Sequence, residues 1–114
     1  MSECLFCAIG EGKVPANRMY QDDSIVAFKD ITPRAPVHIL IIPRKHIASV
    51  ADISEADRVL IGRIFEVAAQ LARDQGIADR GYRIVVNSGA DAGQSVFHLH
   101  YHLLGGRPMS WPPG

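Results

Sequence analysis

The residues best equipped for chemistry lie near the end of the chain, in the run His98-Leu99-His100-Tyr101-His102-Leu103-Leu104. Three of the five histidines alternate there with bulky apolar side chains. Successive side chains of an extended strand point to opposite faces. The spacing therefore predicts a strand from about Phe97 to Leu104, with His98, His100 and His102 on one face and Leu99, Tyr101 and Leu103 on the other. Imidazole titrates near neutrality, serves as nucleophile or general acid–base, and ligates metals. The plain alternative is a surface strand that happens to be rich in histidine.

The loop before this run, Ser88-Gly89-Ala90-Asp91-Ala92-Gly93-Gln94-Ser95, holds two glycines that allow close backbone approach, an amide and hydroxyls. That is suitable material for holding an anion beside the imidazoles, although a simple hairpin connection has the same composition.

The elements that must position these residues can be read from pattern. Cys4 to Ile9 suits a short helical turn, ended by Gly10 and Gly12. Arg18–Gln21 and Ser24–Lys29 flank an Asp22-Asp23 turn and read as a hairpin. Asp30 to Pro36 is a loop with two prolines, and the β-branched Val37–Ile42 is the most strand-like segment, closed by Pro43. Ser54 has the character of a helix cap, with Glu55 and Asp57 in the first turn. Leu60, Ile64, Ala68 and Leu71 then recur at helical spacing, widened by Ile61, Phe65 and Ala72, with Gly76 as the stop. Tyr82–Asn87 is a further strand. The prediction is an α+β domain: an antiparallel sheet with one long helix packed on a face.

Composition narrows the function classes. At 114 residues the chain fits one domain, and 47% hydrophobic with 21% charged residues is ordinary globular composition. Basic and acidic residues balance at 12 each and are scattered, which argues against duplex nucleic acid as the main partner. No apolar run approaches the roughly 20 residues of a membrane span. Met1-Ser2-Glu3-Cys4 lacks the basic and apolar regions of a signal peptide, so a cytoplasmic protein is expected. A reducing compartment disfavours a structural disulfide between Cys4 and Cys7.

Gly93-Gln94-Ser95 followed by the alternating histidines resembles the signature of the histidine triad (HIT) superfamily. The likeness extends to Asp22-Asp23, Ala27–Pro33, Ala35–His38, Ile42–Ile47, Gly81–Arg83, Leu104–Arg107 and Trp111–Gly114, where the chain is similar to the Hint branch rather than the Fhit branch. The resemblance implies a HIT-like fold over 1–114, with a five-stranded antiparallel sheet, one long helix and a short N-terminal helix. It implies a purine nucleoside phosphoramidase in which His100 attacks phosphorus and water cleaves the nucleotidyl-histidine. His102 would donate to phosphate oxygens, while His38 and His98 orient the nucleophile through a hydrogen-bonded chain. Asp30 would bind the ribose hydroxyls, Asn87 would reach the site from the adjacent strand, and Gly93, Gln94 and Ser95 would bear on the phosphate and leaving group. Phe6, Phe28 and Ile31 would form the base slot; each also suits a place in the core.

Cys4-x-x-Cys7 is half of a zinc site, which wants four ligands. Relatives that pair such cysteines with histidines imply Cys4, Cys7, His46 and His98 as a structural zinc site, with buried thiols or a redox pair as alternatives. The resemblance further implies a homodimer in which the Trp111 segment reaches toward the partner's site. Dinucleoside polyphosphate hydrolysis, and a nucleotide-binding scaffold with little turnover, are the competing functions.

Overall fold

A computed structural model describes residues 4–114. Met1 to Glu3, on which the expectation about a leader segment partly rests, lie outside the described residues. The elements run α1 (Leu5–Gly10), β1 (Arg18–Gln21), β2 (Ile25–Lys29), β3 (Val37–Pro43), α2 (Arg58–Asp74), β4 (Tyr82–Val86) and β5 (Tyr101–Gly105). Two 3-10 turns, Val50–Asp52 and Glu55–Asp57, lead into α2. The five strands form one sheet in the order β1-β2-β3-β5-β4, with every neighbouring pair antiparallel. This is the α+β architecture expected.

The middle of the sheet is covered on both sides, which explains why β2 and β3 are apolar at nearly every position. On one face Ile25, Ala27, Ile39, Ile41, Tyr101 and Leu103 pack against Ile64, Val67, Ala68 and Leu71 of α2. On the other, Val26, Phe28, Leu40 and Ile42 pack against Phe6 and Ile9 of α1. By strand alternation His38 and His102 belong to this second face. The site therefore lies on the α1 side of the sheet, shielded by it from α2.

Helix α2 begins one turn later than expected, because Ser54 opens a 3-10 turn first. The buried Asp57 carboxylate accepts from the Ser54 N–H at 2.9 Å and hydroxyl at 3.2 Å, and from Lys45 Nζ at 2.6 Å. Gly76, at φ +75°, ends the helix in the left-handed conformation. Phe65 does not join the buried stripe; it stands half exposed at its margin, edge-on to Tyr101 at 5.5 Å.

A six-residue helix has too few internal bonds to persist alone, and α1 is held from outside. The guanidiniums of Arg18 and Arg44 donate to the carbonyls of Ile9 and Gly10 at its C-terminal end. Cys4 and Cys7 tie its beginning to the histidine segment.

That segment differs from expectation. β5 starts at Tyr101, so His98, Leu99 and His100 precede the strand. The sheet ladder stops at the Ile41–Tyr101 pair, and the Leu99 N–H turns to the Ile47 carbonyl at 2.6 Å. The division of faces survives: Leu99, Tyr101 and Leu103 are all buried in the α2-side core. Among the described residues no helix is long and apolar enough to cross a membrane.

Candidate active site

The hydrogen bonds around the imidazoles determine which nitrogen carries each proton. His100 Nδ1 lies 2.7 Å from the backbone carbonyl of His98. A carbonyl only accepts, so Nδ1 carries the proton and Nε2 keeps its lone pair. His38 Nδ1 accepts the backbone N–H of Arg34 at 3.0 Å, which leaves the His38 proton on Nε2. That proton is donated to His102 Nδ1 at 2.9 Å, with Asp30 Oδ2 a longer neighbour at 3.4 Å. His102 consequently carries its own proton on Nε2. One imidazole thus has a free lone pair and its neighbour a free N–H, with ring centroids 5.1 Å apart.

Burial favours the neutral forms of His38, His98 and His102. Burial, then the neighbouring His100 and His38, push His102 down to about 4, against the weaker pull of Asp30. Burial lowers His38 as well, with Asp30 opposing and Arg34 assisting. Burial likewise lowers His98. Near pH 7 the His38 and His102 tautomers above are therefore the ones present.

His100 and His102 line a cleft of about 620 Å³. Its apolar wall comes from Leu5, Phe6 and Ile9 of α1, Val14, Pro15 and Ala16 after it, and Phe28 and Leu40 of the sheet. Phe6 is 5% exposed and stands edge-on to both Phe28 (5.6 Å) and His100 (5.1 Å), so it is at once core and cleft wall. Phe28 is buried and Ile31 is 95% exposed at the rim. Asp30 and Ser95 also line the cleft. Asp30 Oδ1 accepts the Thr32 N–H at 2.8 Å and hydroxyl at 3.1 Å, a local turn signalled by the Asp-x-Thr spacing. Asn87 follows β4 and lines a second cavity of about 310 Å³ with His38 and His102. A separate hollow of about 400 Å³, between the end of α2 and Gly106–Pro108, is lined by no histidine, cysteine or carboxylate.

Three expected placements differ. The His98 ring makes no hydrogen bond to His100; its backbone carbonyl orients that ring instead. His38 is coupled to His102 rather than to His100. Gln94 is buried, and its amide is committed to the backbone: Oε1 accepts the Gly89 N–H at 2.8 Å, while Nε2 donates to the carbonyls of Ala48 (2.7 Å) and Val96 (3.1 Å). Gln94 and Gly93 shape the loop but are absent from the cleft lining. Sequence reasoning also missed the Arg34 N–H that sets the His38 tautomer, because a backbone donor leaves no compositional trace.

Cys4, Cys7, His46 and His98 converge, with all four donor atoms within 4.8 Å of one another. Cys4 Sγ is 3.3 Å from His98 Nδ1 and Cys7 Sγ is 3.3 Å from His46 Nδ1. The two Nδ1 atoms are 3.2 Å apart. A tetrahedral zinc with ordinary Zn–S and Zn–N bonds separates its ligands by about 3.3–3.8 Å. His98 Nε2 donates to the Pro43 carbonyl at 2.7 Å, so its Nδ1 faces the cluster as a lone pair, the arrangement metal-ligating histidines use. Burial, reinforced by Cys4 and Glu11, pushes the Cys7 thiol up to about 11 without a cation. The donor set can hold a metal. Asp30, His38 and His102 also bring three candidate ligand atoms together. There, however, the Arg34 N–H keeps a proton on His38 Nε2, the atom a metal would need.

The depressed His102 has a consequence for stability. Above pH 6.5 it is neutral in both folded and unfolded chains. As pH falls from 6.5 toward about 4 the unfolded chain takes the proton first, so this contribution to stability is lost across that window. Denaturant midpoints measured from pH 7 to 4.5 should fall, and fall less steeply in His102→Asn. Equal slopes would show that the ring is not held neutral.

The HIT domain family matches residues 11–109. An uncharacterized HIT-like protein of Synechocystis sp. is 46% identical over 112 residues, covering 98% of this chain and 97% of the relative. A HIT family hydrolase from Legionella pneumophila superposes with a TM-score of 0.97 at 49% identity, covering 98% of this chain and all of that one (100%). A zinc-bound histidine triad family protein from Mycobacterium smegmatis gives a TM-score of 0.79 at 33% identity, covering 92% and 76%. The likeness runs nearly end to end in both sequence and backbone, and the chain belongs to the HIT domain family.

Proposed function

We propose that the chain hydrolyses purine nucleoside phosphoramidates, cleaving the P–N bond between a nucleoside monophosphate and an amine through a nucleotidyl-His100 intermediate. The observation that carries this reading is the fixed tautomer of His100, whose Nδ1–H is taken by the His98 carbonyl while Nε2 stays free beside the cleft. The hydrolase name of the Legionella relative supports the reaction class.

In this reading the Nε2 lone pair forms a bond to phosphorus, and the P–N electron pair leaves with the amine, which takes up a solvent proton. Water then adds to phosphorus, the P–Nε2 bond returns its pair to His100, and a proton is released. A covalent intermediate divides one hard displacement into two easier ones. His102, neutral with its proton on Nε2, donates to a phosphoryl oxygen, and His38 holds it in that tautomer. The Ser95 hydroxyl, on the cleft wall, adds a donor where charge develops, while the Gly93 and Gln94 amides hold the loop through the Ala90 and Gly89 carbonyls. Asp30 accepts from the ribose hydroxyls, Asn87 contributes from the β4 side, and Phe6, Phe28 and Ile31 take the base.

The four-ligand cluster of Cys4, Cys7, His46 and His98 is assigned to zinc, supported by its donor types and by the zinc-bound relative. Held by these four residues, zinc would supply a structural clamp rather than a Lewis acid. The protein is read as a cytoplasmic homodimer; the dimer is supported by β4 standing as an outer strand of the sheet, with the half-exposed Tyr82 on it. Light scattering at micromolar concentration giving the mass of one chain would remove the dimer.

Adenosine 5′-phosphoramidate should be turned over by the wild type, with release of AMP. His100→Ala should lose at least about a thousandfold in kcat while still binding AMP, and His102→Ala about a hundredfold. Equal AMP release by wild type and His100→Ala would sink the mechanism. Binding without turnover by the wild type would favour the scaffold reading.

Elemental analysis of purified protein should find one zinc per chain, lost in Cys4→Ser/Cys7→Ser together with several degrees of thermal midpoint. If chelation abolished turnover while the midpoint stayed put, a purely structural role would be wrong.

A further inference from the structure

The cleft that takes the base adjoins a second cavity. The two share Asp30, Thr32 and His102 as a common wall. In the proposed reaction phosphorus bonds His100 Nε2 while an oxygen takes the His102 N–H, which brings it beside this shared wall. A substrate with its base in the apolar cleft then has the second cavity, about 310 Å³, as the adjoining space for its leaving group.

That cavity has a distinct chemistry. Besides His38, Asn87 and Leu104 it is lined by Arg34, whose backbone is pinned on both sides. Its N–H donates to His38 Nδ1 at 3.0 Å, and its carbonyl accepts from Arg107 Nε and Nη2 at 3.1 and 2.9 Å. Its guanidinium pairs with no carboxylate among the described residues. The positive field of Arg34 reaches the His38 ring, where it opposes protonation. The other charge in the cavity, Asp30, belongs to the wall shared with the base cleft, where one carboxylate oxygen accepts twice from Thr32 and the other faces His38. What remains is a cation on a fixed backbone, with five donors in a fork that matches a carboxylate, one step beyond the phosphate.

We propose that Arg34 is a specificity-determining residue of a leaving-group subsite, and that the subsite selects amines bearing a carboxylate. The inference rests on the phosphoramidase reading and deepens it. The chemical class implied is an AMP phosphoramidate of an amino acid or ω-amino acid, so that hydrolysis yields AMP and a free amino acid.

The test compares three AMP phosphoramidates of similar size, with β-alanine, propylamine and ethylenediamine as leaving amines. The wild type should show kcat/KM in the order β-alanine, propylamine, ethylenediamine, with about tenfold between the first two. Arg34→Gln keeps the backbone N–H to His38 and should erase the β-alanine advantage. Arg34→Lys should restore part of it, and Arg34→Glu should place the diamine ahead of β-alanine. Circular dichroism and AMP affinity report that each variant is folded with its base slot intact. Turnover of all three substrates with no dependence on charge, or an order unmoved by Arg34→Glu, would overturn the subsite alone. No turnover of any substrate by the wild type would overturn the phosphoramidase reading and this inference with it.

Discussion

The site depends on where the backbone carries His98. Its carbonyl takes the proton of His100, its ring nitrogens meet the Pro43 carbonyl on one side and the Cys4/Cys7/His46 cluster on the other, and the next N–H goes to Ile47. These bonds dock residues 98–100 onto 43–47 outside the sheet ladder. Only beyond that dock does the chain enter β5 and place His102 against His38. The successive histidines are thereby sent to different tasks: His98 inward to the cysteine cluster, His100 and His102 to the cleft.

Close-packed imidazoles would repel one another if charged, and the protein avoids this by burial. The pairs His100–His102 and His38–His102 have centroids 5.1 and 5.2 Å apart, so protonating one opposes protonation of the next. Neutral rings can each donate from one nitrogen and accept at the other. Directional order follows, beginning at a backbone N–H on Arg34 and ending at a free N–H on His102. The electrostatic penalty and the tautomer order have the same origin.

Much of this was legible in the sequence. Apolar alternation placed Leu99, Tyr101 and Leu103 in the core correctly even though residues 98–100 are not strand, because facing depends on burial rather than on ladder bonds. The helix limits at Ser54 and Gly76 followed from capping chemistry, apart from the 3-10 first turn. The four-residue Cys/His group was named from resemblance and assembled as named. What stayed hidden were contacts made by backbone atoms. A carbonyl orienting His100, an N–H orienting His38 and the carbonyls that occupy Gln94 belong to every residue type and leave no signature. Hence His98 and Gln94 were read through their side chains, and the true partners were overlooked.

Helix α1 is held at its two ends by the cysteine cluster and by Arg18 and Arg44, and Phe6 and Ile9 seat it on the sheet while also forming part of the apolar wall of the cleft. The atoms that set the protons of His38, His100 and His102 lie elsewhere, on Arg34, His98 and the strands. The cleft wall and the proton order are therefore set by largely different residues, joined through His98. Exchanging the half-exposed Leu5 would reshape the cleft wall and leave the proton order untouched. A lineage built on this frame can drift in what it accepts without relearning how to react.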